Sequence, residues 1–70
     1  MNLMELNAEL ARHKISIPEL AKKMKVSKKL IYSRFKGETP FKHDEICKII
    51  EILSLDQQKL MLIFFNDKVS

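Results

Sequence analysis

Two helix-start signals stand close together in this chain, at Ser16 and Ser27, and they leave room between them for only one short helix and a tight turn. Ser16 precedes Ile17, Pro18 and Glu19. This is an S-x-x-E capping box with proline in the first turn, where its missing N–H costs nothing. Ile17, Leu20, Ala21 and Met24 fall on one face of the predicted helix. Lys25 and Val26 interrupt it, and the Ser27 hydroxyl is placed to accept from the amides of a second helix. That helix, over residues 27–36, turns Ile31 and Phe35 inward toward Ala21, whose small side chain allows a close crossing. Gly37 ends it, because glycine takes the left-handed C′ conformation without a Cβ penalty. The spacing therefore predicts a helix-turn-helix over residues 16–37.

The outward face of the second helix collects Lys28, Lys29, Tyr32, Ser33 and Lys36. A basic, polar face of this kind is suited to the DNA major groove, where phosphates attract it and short polar groups reach base edges. Charge supports the same expectation by its placement. Between residues 14 and 42 there are nine Lys or Arg against two acidic residues, whereas the remainder has four against seven. A net charge of +4 thus hides a centre of +7. Base contacts are expected from Lys28, Lys29, Tyr32 and Ser33. Phosphate contacts are expected from Ser16 and the amide of Ile17 at a helix N-terminus, and from Ser27, Lys36 and Lys42. Tyr32 either stacks its ring on a sugar, offers its hydroxyl to DNA, or only packs. Leu30 either grazes a thymine methyl or covers the core rim. Lys14 is a phosphate contact or a solvated helix end, and Lys22 and Lys23 supply long-range attraction.

These residues resemble the helix-turn-helix of the phage-repressor and Cro-like regulators, the XRE family. Leu20-Ala21, Val26-Ser27, Ile31 and the run Ser33-Arg34-Phe35-Lys36-Gly37 fall at that family's small, turn, capping and core positions. Downstream, Phe41, Glu45-Ile46, Ile49, Leu53, Leu55 and Ile63-Phe64-Phe65 are similar to small regulators of phages of Gram-positive bacteria. Two positions depart from the pattern. Lys25 stands where glycine is usual, and a left-handed lysine there costs about 1 kcal/mol more than glycine. Lys42 stands where Ser or Thr commonly caps the next helix. The resemblance implies an all-α, five-helix repressor-like domain and a transcriptional regulator that binds operator DNA and excludes or recruits polymerase.

Only one small core fits a single 70-residue domain, and 46% hydrophobic residues with one Gly and two Pro point to compact helices. Asn2 with Glu5 caps a first helix over about residues 3–12, carrying Leu3, Leu6 and Leu10. After Pro40, Phe41 is expected to tuck under the motif. A helix over about residues 43–53 follows, with Ile46, Ile49, Ile50 and Leu53 on one face and Asp44 and Glu45 at its positive end. Ser54 breaks it, Leu55 anchors the connection, and Asp56 caps a last helix over about residues 57–65. Residues 60–65 are apolar on every face, so a strand is the alternative there. If Leu60, Ile63 and Phe64 lie on the core, Met61, Leu62 and Phe65 are left outside as a homodimer interface; the alternative folds them over the first helix.

The chain has no Gly-rich phosphate loop, no nucleophile–base set and no metal cluster, so no enzyme, cofactor or small-molecule substrate is expected. His13 and His43 read as solvated helix-end residues, and Cys47 as a small core or near-core residue. One cysteine excludes an intrachain disulfide and fits a reducing compartment. The longest apolar run is far short of the ~20 residues that span a bilayer. A soluble cytoplasmic protein is expected, and the resemblance implies a bacterial host cell and association with its nucleoid. The competing function is a protein-binding modulator or antirepressor that keeps the fold and grips a repressor through its apolar end.

Overall fold

The computed structural model describes residues 1–65, and all regular structure among them is helical. Five helices follow in order: α1 (Leu3–Arg12), α2 (Ile17–Met24), α3 (Lys28–Phe35), α4 (His43–Leu53) and α5 (Gln57–Phe64). Side chains close to each start satisfy the orphan amides of the first turn. Asn2 Oδ1 accepts from the Glu5 N–H at 3.0 Å, Ser27 Oγ from Leu30 at 3.1 Å and Asp56 Oδ1 from Lys59 at 2.8 Å. At α2 the box is complete: Ser16 Oγ accepts from the Glu19 N–H, and Glu19 Oε1 accepts from the Ser16 N–H at 2.9 Å. Lys42 has no acceptor to offer, so at α4 only the return bond forms, from the Lys42 N–H to Glu45 Oε1 at 2.9 Å.

The first four helices end on a residue with positive φ: Lys14 (56°), Lys25 (61°), Gly37 (80°) and Ser54 (49°). In each case the next residue's N–H returns to the carbonyl five positions back, as from Ile15 to Leu10, Val26 to Ala21 and Leu55 to Ile50. This bond satisfies carbonyls that the helix leaves open, and at Ile15, Val26 and Leu55 it turns an apolar residue back against the last turn, whereas after Gly37 the residue is the exposed Glu38. Lysine twice and serine once accept the left-handed strain that glycine would avoid.

Leu6, Leu10, Leu20, Ala21, Met24, Ile31, Ile49, Leu53, Leu55, Ile63 and Phe64 form the core. α2 packs on α3 and α4, and α1 packs on α5. The first and last helices are also joined by a backbone bond, from the Asn2 N–H to the Ile63 carbonyl at 2.6 Å. The strand alternative for residues 60–65 is not adopted. With Asp56 capping the start, helical spacing buries Ile63 and Phe64 and half-buries Leu60. Phe65 lies just past the helix end, its N–H bonded to the Met61 carbonyl.

One smaller expectation is corrected, and two acidic or basic neighbours on α1 add detail. Cys47 is exposed, because it stands one position round the helix from Ile46 and so off the face that Ile49 and Leu53 bury. His13 is held at the end of α1 by Glu9, with Nε2 3.2 Å from Glu9 Oε2. Glu9 itself is buried at 3% exposure, beside Leu6 and Leu10. It survives there because Arg12, His13 and Lys59 surround it. Burial pushes its carboxyl up, but hydrogen bonds from Arg12 and Lys59 outweigh this and leave it below the usual range.

Candidate nucleic-acid interface

Helical spacing divides α3 into two faces. Ile31 and Arg34 are buried, and Leu30 and Phe35 are half-buried beside them. Lys28, Lys29, Tyr32 and the C-cap Lys36 are exposed, with Ser33 half-exposed at the border. The candidate base-contact residues therefore share one side of one helix, and no acidic residue lies among them. Phe35 does not simply point at α2: its ring meets Phe41 edge to face, centroids 5.6 Å apart. That contact brings the loop after α3 back under the helix, where Phe41 was expected to tuck.

The phosphate candidates are more scattered. Ser27 caps α3 with its oxygen, which leaves its hydroxyl proton directed elsewhere. Lys36 and Lys42 are exposed at the two ends of the loop joining α3 to α4. Ser16 and Ile17 stand at the start of α2, but the Glu19 carboxylate closes back onto that end. The Ser16 amide and hydroxyl hold the Glu19 carboxyl below its usual range. A negative group there opposes an incoming phosphate, so this N-terminus is a weaker anion site than sequence spacing suggested.

The turn between α2 and α3 is held from outside as well. Lys48, on α4, donates its ammonium to the Met24 carbonyl at 3.2 Å, placing a cation at the negative end of α2. Ala21 is buried at the crossing of α2 and α3.

Sequence reasoning placed Arg34 only within the run of residues 33–37 and gave it no partner. In the structure it is buried at 7% exposure and grips Glu45 of α4 with two parallel bonds, Nε to Oε1 at 2.8 Å and Nη2 to Oε2 at 2.9 Å. Its third donor, Nη1, reaches Thr39 Oγ1 at 2.6 Å, and Thr39 Oγ1 lies 3.1 Å from Ser33 Oγ. Hydrogen bonding to Arg34 holds the Glu45 carboxyl below its ordinary range despite burial. The signal was present, since Arg34 follows Ile31 by three and so shares its inward face. What spacing along one helix omits is the carboxylate waiting on α4.

At the other end, Met61, Leu62 and Phe65 are 48%, 47% and 57% exposed, while Ile63 and Phe64 are buried. The side chains divide as the spacing predicted, and these three do not fold over α1. Among the described residues no helix is long and apolar enough to cross a membrane.

No curated protein and no solved structure matches the chain. A family profile does match, over residues 16–67, which takes in α2 to α5 and leaves α1 outside. The chain belongs to the family described as protein of unknown function DUF739.

Proposed function

We propose that this protein is a sequence-specific double-stranded DNA-binding transcriptional regulator, of the phage Cro- and repressor-like helix-turn-helix kind, that reads operator DNA with α3 in the major groove. The observation that carries the reading is the single exposed face of α3, on which Lys28, Lys29, Tyr32 and Ser33 are gathered, with Lys36 at its end, while Arg34 is turned inward and neutralised. Lysine is suited to guanine O6 and N7, and each good contact is worth about 1–3 kcal/mol of discrimination. Ser27, Lys36 and Lys42 meet phosphates, with Ser16 and Ile17 a weaker pair. The bacterial cytoplasm is the compartment this function requires.

Two copies pair through Met61, Leu62 and Phe65. A twofold dimer sets two recognition helices one helical turn apart, about 34 Å, so that two half-sites are read together. The second reading, a protein-binding modulator that grips a repressor, is favoured by the same exposed apolar side chains. The lysines of α3 count against it as the sole function, because interface cores are depleted of Lys.

Selection of bound sites from random duplexes tests both. The DNA reading expects one motif with twofold symmetry, and Lys29→Ala should weaken the selected site more than random DNA. Equal losses would leave Lys29 on phosphate only. No selected motif, with binding that vanishes at moderate salt, would favour the modulator.

A further inference from the structure

Thr39 lies in the loop after α3, outside any helix, yet its hydroxyl oxygen joins the buried ion pair to the exposed face. Arg34 only donates, so Thr39 Oγ1 accepts from it. That oxygen also lies 3.1 Å from Ser33 Oγ, and either hydroxyl has the geometry to donate to the other. The guanidinium decides between them. A charge-assisted bond draws density from the Thr39 oxygen, which strengthens its O–H as a donor and weakens the oxygen as a second acceptor. The polarity then runs from Arg34 to Thr39 to Ser33. Ser33's oxygen then accepts from Thr39, and its own proton is left to donate elsewhere on the half-exposed border of α3.

We propose that Thr39 is a positioning residue that makes Ser33 a hydrogen-bond donor, directed at an acceptor on a base edge: N7 or O6 of guanine, N7 of adenine or O4 of thymine. The inference rests on the DNA-binding reading and adds to it the chemical identity of what Ser33 recognises. Glu45 fixes the source of the polarity, since its two bonds leave the Arg34 fork one orientation, with Nη1 on Thr39. A loop residue thereby sets what a helix residue reads.

The test compares wild type, Ser33→Ala, Thr39→Val, Thr39→Ser and the Ser33→Ala/Thr39→Val double variant, each by site selection and by affinity for the wild-type site over random duplex. Loss of one hydrogen bond lowers that ratio roughly 3- to 10-fold. Ser33→Ala and Thr39→Val should relax the same position by the same factor, the double variant no further, and Thr39→Ser should retain the wild-type ratio. A general loosening of α3 lowers both affinities together and leaves the ratio unchanged, and that outcome overturns the proposal.

A second arm needs no Thr39 variant. At the position Ser33 reads, acceptors are deleted one at a time with 7-deazapurine, 2-aminopurine for guanine or 5-methyl-2-pyrimidinone for thymine. Amino donors are deleted with purine for adenine or 2-pyrimidinone for cytosine. Wild type should lose its ratio on an acceptor deletion and Ser33→Ala should not respond; loss on a donor deletion instead means Ser33 accepts, which overturns the inferred polarity. If wild type selects no motif, the DNA reading falls and this inference with it. A motif that Thr39→Val leaves intact overturns the role of Thr39 alone.

Discussion

Replacing Lys25 by Gly should raise the thermal midpoint, and the backbone sets how far. Lys25 closes α2 at φ 61° and ψ 43°, close to the centre of the left-handed region. An L-residue there costs about 1–2 kcal/mol, which glycine does not incur. Glycine gives back about 0.5–1 kcal/mol through its freer unfolded chain. The net gain is about 0.5–1 kcal/mol. A 70-residue domain unfolds with an entropy of roughly 0.15 kcal/mol/K, so the midpoint should rise by about 3–7 °C. The exposed lysine also carries charge in a crowded basic segment, and Lys25→Ala controls for this by keeping the strain while removing the charge. Gly37→Ala supplies the opposite sign: at φ 80° an added Cβ meets nothing within 4 Å, so its net loss of about 0.5–1 kcal/mol is backbone strain less the unfolded-chain entropy, with no clash added. Circular dichroism melts and urea titrations of the three variants decide the matter. If Lys25→Gly is no more stable than Lys25→Ala, the strain is not there.

Glu45→Gln tests the ion pair through pH. Arg34 holds the carboxyl low, so around the unfolded value of about 4.3 the unfolded chain binds more protons than the folded one; this part of the stability is full above that value and is lost as pH falls through the folded one. The variant should be less stable at pH 7 and lose less between pH 5 and 3, not becoming flat because Glu9 and Glu19 are also held low; parallel melting curves for the two proteins would show that Glu45 does not titrate with folding. Lys36→Ala should flatten the slope of log K against log salt by nearly 0.9, the share of one neutralised phosphate, and an unchanged slope would take Lys36 off the DNA. Phe65→Lys should yield a folded monomer that binds a full operator far more weakly and a half-site about as well as wild type. Sedimentation at high micromolar concentration checks the state of both, and a monomeric wild type with undiminished full-operator binding by the variant would remove the dimer.

Helix starts were legible because each is written within four residues. Asn2, Ser16, Ser27 and Asp56 reach only to the third residue ahead, so the pattern and the bond are the same fact. Two of the helix ends were less legible. Gly37 announces a left-handed residue, whereas Lys14 does not and Ser54 read only as a break; the subtler sign was the apolar residue that follows, Ile15 or Leu55. The exposed face of α3 could be read from spacing, since charge and burial there follow the same period. The Arg34–Thr39–Ser33 chain could not, because it depends on Glu45 arriving from another helix and on a loop folding back over Phe35. Cys47 shows the converse, a position whose angle round α4 was in the spacing while its apolar neighbour in sequence suggested burial.

The contact between the ends of the chain has a kinetic side. α2, α3 and α4 meet across short connections, but α1 and α5 must find one another across most of the sequence, a loop closure whose entropy is on the order of 3–4 kcal/mol. Nothing local offsets that cost before docking. It is recovered only when Leu6, Leu10, Ile63 and Phe64 are buried together, Lys59 reaches Glu9, and the Asn2 amide meets Ile63. The two end helices should accordingly open and close as one unit, their amides exchanging with solvent at a common rate faster than that of Ile31 or Ile49. A change confined to the first residues would then be felt at the last helix, where the exposed apolar side chains are carried.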